Sequence, residues 1–160
     1  MDRDLRIWID PINKKNDIFG PILRYSWQVD GVDYEVRRPE NCFWYLLPDS
    51  TGFICFDRNR KPDNCLLLDA YGKERLRLTV PWELTGIDID NEARAWLKGQ
   101  GKPYAPPEVY FCNISGPYEN PADGKMGQFG VTAWIEYAGM YYFELDYHTG
   151  KFLWGKPIRD

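Results

Sequence analysis

At 160 residues the chain has the size of one domain, 1–160, large enough to bury roughly two thirds of its unfolded surface. A formal charge of -4 and a pI near 5.1 deny it the basic stripe with which nucleic-acid binders displace counterions. A mean hydropathy of -0.54, with no run near the ~18 apolar residues of a spanning helix, argues against membrane residence.

The opening Met1-Asp-Arg-Asp-Leu-Arg6 lacks the basic head and apolar stretch of a secretory signal, so a cytoplasmic protein is expected. After a loop over Pro11 to Gly20, Leu23-Arg-Tyr-Ser-Trp-Gln-Val29 and Val32-Asp-Tyr-Glu-Val36 flank Asp30-Gly31. Asp-Gly between alternating runs is the strongest short hairpin signal, because both turn positions tolerate positive φ. Phe43 to Leu47 and Phe53 to Phe56, around Pro48-Asp-Ser-Thr-Gly52, make a second hairpin. A third joins Cys65-Leu-Leu-Leu68 to Arg75-Leu-Arg-Leu-Thr-Val80 through Asp69-Ala-Tyr-Gly72-Lys73, and Pro81 closes that strand. The basic residues Arg37, Arg38, Arg58, Arg60 and Lys61 fall where strands should end and read as solvated flanks.

One helix stands out. Asp90 or Asn91 can cap Glu92-Ala-Arg-Ala-Trp-Leu-Lys98, and Gly99 ends it. It spans about two turns, so packing of Trp96 and Leu97 must hold it. Gly99 to Pro107 is a loop leading into a strand over Val109 to Cys112, and a long loop follows from Ser115 to Gly127. Gln128 to Tyr137, Met140 to Tyr147 and Lys151 to Trp154 then form a meander, with one face packed and one wetter. The segment Phe143 to Trp154 resembles one repeat of a quinoprotein-type propeller blade, but it occurs once in full, and a propeller needs many copies.

The chemistry-bearing residues are sparse. His148 is the chain's one histidine and sits in a turn, with no Ser or Cys nucleophile in a recognisable elbow. Cys42, Cys55, Cys65 and Cys112 form no C-x-x-C and read as reduced, buried thiols, so no metal or cofactor is expected. Asp88-Ile-Asp90-Asn91-Glu92 lacks the later Gly and Glu of a calcium loop and reads as helix capping. Gly99-Gln-Gly101-Lys102 has neither the strand nor the helix that a phosphate loop requires. Glu136 and Glu144, on adjacent strands of the meander, could face each other as a carboxylate pair, the one enzymatic mechanism left open. With 7 Trp, 11 Tyr and 8 Phe, some rings must be exposed; Trp8, Tyr104, Tyr118 and Trp154 lie near ends or loops, where they could stack on sugars.

The expected fold is mainly β, a meander- and hairpin-rich antiparallel curled sheet or two-layer sandwich of about eight to ten strands with one short helix. Compact size, acidity, aromatic hairpins, no catalytic set and an ending Leu145-Asp-Tyr-His-Thr-Gly-Lys-Phe-Leu153 together carry a resemblance. In these features the chain resembles the small cytosolic immunity proteins that bacteria pair with polymorphic toxins. That resemblance implies a non-enzymatic inhibitor whose partner is a cognate toxin, with Glu83, Asp88, Asp90, Glu92, Tyr104 and Tyr118 as candidate anchors in an interface covering the toxin's active site. The alternative is a β-sandwich module that binds carbohydrate or another small ligand through exposed rings.

Overall fold

A computed structural model describes residues 8–9, 24–37 and 42–158. The expected loop over 11–20, Leu23, Arg38 and the Trp8 side chain lie outside them. The protein is mainly β, with three antiparallel sheets and one α-helix among the described residues, and none of the sheets closes on itself. No described helix is long and apolar enough to cross a membrane. The sheets fall into two compact units, one comprising the chain up to Asn59 with Cys65–Leu78, the other Arg60–Asn64 with everything from Thr79.

The first unit carries two sheets. One has the order β1 (Trp8–Ile9), β2 (Arg24–Val29), β3 (Val32–Arg37). The other runs β4 (Cys42–Leu46), β5 (Gly52–Asp57), β6 (Cys65–Asp69), β7 (Glu74–Leu78), each strand beside its sequence neighbour. All three expected hairpins are present. In the first, Asp30 and Gly31 both take positive φ, 50° and 81°, the geometry whose twist suits two strands joined by two residues. In the third, the Asp69 carboxylate accepts the N–H groups of Tyr71 and Lys73 at 2.9 and 3.0 Å, closing the turn locally. The short pairing of β1 with β2, Trp8 opposite Ser26, has no signal in the sequence.

The apolar residues alternate on β2, so Tyr25, Trp27 and Val29 are buried while Gln28 is exposed. Trp27 and Val29 form one core cluster with Phe53, Cys55, Leu68 and Ala70. Within this unit two sheets face each other, because the aromatic faces of β2 and β5 pack on each other through Trp27 and Phe53, ring centroids 5.0 Å apart.

Burial pushes the Cys55 thiol up to about 12, with the Cys42 thiol beside it adding to the shift, and burial also raises Cys65. A proton that folded Cys55 holds to about 12 leaves the unfolded thiol near 9.0, so this contribution to stability is intact below pH 9.0 and is lost as pH climbs towards 12. At pH 8 the native protein is expected to leave Cys55 and Cys65 unlabelled by a thiol reagent, while urea-unfolded protein labels at all four cysteines. Rapid native labelling of either would contradict that burial.

The second unit holds a meander of order β11 (Lys151–Pro157), β10 (Gly139–Asp146), β9 (Gly130–Ile135), β8 (Val109–Ser115), with the helix α1 (Ile89–Gly99) and a 3-10 turn over Trp82–Thr85. The helix starts earlier than expected. Asp88, not Asp90 or Asn91, caps it, accepting the Asn91 N–H at 3.1 Å, and Gly99 is its last residue. The buried positions Ile89, Ala93 and Leu97, four apart, dictate that register.

Candidate partner-binding site

Two surface features of the second unit are built well enough to carry function. The first is the segment from the 3-10 turn through α1 to Tyr104. While Ile89, Ala93 and Leu97 point inward, the outer positions carry Asp90, Glu92, Arg94 and Trp96. Four of the nine exposed large apolar side chains among the described residues lie here: Trp82 (38%), Leu84 (38%), Trp96 (50%) and Tyr104 (40%). Such a concentration is uncommon on a surface with nothing to bind.

The polar groups among them are held in place. The Tyr104 hydroxyl donates to Asp90 at 2.6 Å, a bond that pushes the phenol pKa up, while the Arg94 guanidinium lies 3.9 Å from the Tyr104 ring centroid. Trp96 leans on Tyr137 at 5.8 Å, with the Lys102 ammonium 6.0 Å from its ring. Beside this set, Pro62, Trp82, Ile89, Asp90, Pro107 and Val109 line an apolar hollow of about 160 Å³.

The second feature is a cleft of about 420 Å³ where the loop after β8 meets the ends of β10 and β11. Its floor includes Glu144, 5% exposed, whose carboxylate accepts the Tyr142 hydroxyl at 2.6 Å and the backbone N–H groups of Gln128 and Phe129 at 2.7 and 3.3 Å. Burial pushes the Tyr142 phenol well above its ordinary value, and the bond to Glu144 adds to it. Glycines make the close approach possible. A Cβ on Gly127 would collide with the Glu144 carboxylate, and one on Gly130 with the Tyr142 ring.

This arrangement corrects the expected wetter face of the meander. Tyr142 and Glu144 are as buried as Tyr141 and Phe143 behind them, because the long loop folds back over that face. Within the loop Glu119 bridges to Met126, the Gly127 N–H donates to Tyr118 at 2.9 Å, and the Tyr118 ring packs edge-on against Tyr142 at 4.8 Å.

The expected anchors divide accordingly. Asp88, Asp90, Glu92 and Tyr104 are gathered on or beside α1 and all exposed, and exposed Glu83 belongs to the 3-10 turn just before it. Tyr118 keeps different company, half-buried between Tyr142 and Lys156, whose ammonium is 5.3 Å from its ring. Sequence reasoning missed Trp82 and Leu84, although their place directly after Pro81, in a segment with neither period, was a signal.

The carboxylate pair does not form. Glu144 stands opposite Gly130, whereas Glu136 lies past Ile135 at the other end of β9, about 20 Å along the strand, where it accepts the Glu108 N–H at 3.2 Å. His148 is exposed in its turn, its ring 4.5 Å from Tyr147. No three His, Cys, Asp or Glu side chains among the described residues are grouped to hold a metal ion.

No protein-family model matches the chain, and no curated protein matches it. Among solved structures it is similar to a chain of the complex of Tne2 with Tni2, at a TM-score of 0.53 and 11% sequence identity, over 88% of this chain and 82% of that chain. At that identity the likeness is one of fold.

Proposed function

We propose that this protein is a non-enzymatic, protein-binding inhibitor, an immunity protein that neutralises a cognate bacterial toxin by covering its active site, and that the 3-10 turn, α1 and Tyr104 form its binding face. The observation that carries the reading is the run of exposed Trp82, Leu84, Trp96 and Tyr104 along this one segment, interspersed with exposed Glu83, Asp88, Asp90 and Glu92. Aromatic anchors inside a polar, charged rim are the anatomy of an interface. The contacts of Tyr104 with Asp90 and Arg94 hold that anchor before any partner arrives, which lowers the entropy lost on binding. The similar fold comes from a protein solved with a protein partner, which supports the same direction. Acidic residues at the rim suit a basic partner surface and make association faster at low salt.

The rings considered for sugar stacking serve that alternative poorly. Arg94 covers one face of Tyr104, and Tyr118 and Trp154 both pack on Tyr142, at 4.8 and 5.4 Å. Each of these three rings therefore already has a neighbour against it, and none offers both faces to a sugar.

The test is co-production with the product of the neighbouring gene. Wild-type protein should form a stable complex and rescue growth from that product's toxicity. Trp96→Ala and Tyr104→Ala should each weaken the complex by roughly 30-fold while leaving the circular dichroism spectrum unchanged. Absence of both complex and rescue would end the proposal.

A further inference from the structure

The cleft above Glu144 is chemically unlike the α1 face. Its aromatic lining comes from Phe129, Tyr147 and Trp154, and Phe129 and Tyr147 meet edge-on at 5.2 Å. Three carboxylates line it, Glu144, Asp146 and Asp123, against one ammonium, Lys125. Burial pushes the Asp146 carboxyl up, but the His148 N–H and the Thr149 hydroxyl outweigh it and hold the group below its ordinary value, so it is charged at neutral pH. The Glu144 carboxylate is fixed in position by three donors.

Negative potential inside partly enclosed walls is focused rather than dispersed, and aromatic faces add to the attraction for a cation. The carboxylates do not converge as metal ligands, so the walls favour a planar or alkylated organic cation over an inorganic one. The volume, about 420 Å³, falls within the range of small-ligand sites. We propose that this cleft is a binding site for a guanidinium or alkylammonium group, either on a free small molecule or on a side chain of another protein. It stands apart from the reading of α1 as a partner face and needs no partner for its test.

That test is a titration of the intact, isotope-labelled protein with agmatine and with N-acetylarginine amide, following the backbone resonances of Phe129, Asp146 and His148. Both should give saturable shifts, whereas N-acetylcitrulline amide, which keeps the planar shape but has no charge and a carbonyl in place of one donor group, should bind at least roughly tenfold more weakly. Tighter binding of the blocked arginine than of agmatine assigns the site to a peptide side chain, and the reverse order to a free amine. Asp146→Asn, which keeps the turn-forming oxygen, should weaken both ligands several-fold, and Lys125→Ala should strengthen them. An equal response to citrulline, no saturable response to either cation, or indifference to both substitutions would overturn the proposal.

Discussion

Trp27→Ala is expected to lower the stability of the protein by about 4 kcal/mol, the cost of emptying a large aromatic site. Trp27 is 2% exposed, and its indole N–H donates to the Ala70 carbonyl at 2.9 Å. Its ring is surrounded by Phe53 at 5.0 Å, Trp44 at 5.6 Å and Tyr34 at 6.1 Å, so the cavity would be walled by rigid rings that cannot collapse into it. The turn beyond β6 depends on the same side chain: Gly72, at φ 79°, approaches so closely that a Cβ there would sit 2.9 Å from the indole. Urea unfolding followed by circular dichroism should show a lower midpoint at unchanged slope, and heating a loss of about 12 °C. Trp27→Phe separates the two contributions. It refills most of the space but leaves the Ala70 carbonyl without its donor, for a loss of about 1–2 kcal/mol. A loss under about 1 kcal/mol for the alanine variant would show that the two sheets of the first unit do not depend on this ring.

Features set by neighbours in sequence were legible. Asp30-Gly31 and Asp69 to Gly72 carry their turn geometry in the residues themselves, so the hairpins could be read one after another. The helix start was ambiguous because Asp88 and Asp90 are both competent caps. Only the inward spacing of Ile89, Ala93 and Leu97 chooses between them, and it was there to be counted. Glu144 was out of reach for another reason: two of its three donors are backbone N–H groups, which any residues at 128 and 129 would supply. A buried carboxylate and a solvated one look alike in a β-strand when the group that covers it arrives from a loop. The same limit applied to the anchors. Acidity and loop position named six anchors, of which five stand on or beside α1, while the returning loop sets Tyr118 against Tyr142.

Asn64→Ala is the second substitution with a large expected effect, and it concerns a residue with no local signal at all. Asn64 is 1% exposed, and its amide pairs with the backbone of Phe111 in both directions, donating to the carbonyl at 2.9 Å and accepting the N–H at 2.8 Å. Strand β8 is the edge of its sheet, and its register against β9 shifts between Phe111 and Asn113. Phe111 therefore turns its outer N–H and C=O away from the sheet, and in a buried place those groups need a partner. The Asn64 amide, with one donor and one acceptor side by side, matches them as a neighbouring strand would. Alanine leaves two buried backbone groups unsatisfied, at about 1–3 kcal/mol each when unrelieved, so a loss of about 3 kcal/mol and about 9 °C in Tm is expected. Asn64→Asp keeps the acceptor for the N–H but sets an oxygen against the Phe111 carbonyl, so it should fall well short of wild type despite its identical shape. Native-state hydrogen exchange supplies the specific readout: the Phe111 amide should lose protection in both variants more than in a substitution of equal cost elsewhere. If that amide stays as protected as before, Asn64 is merely filling space and the edge of β8 is held by other means.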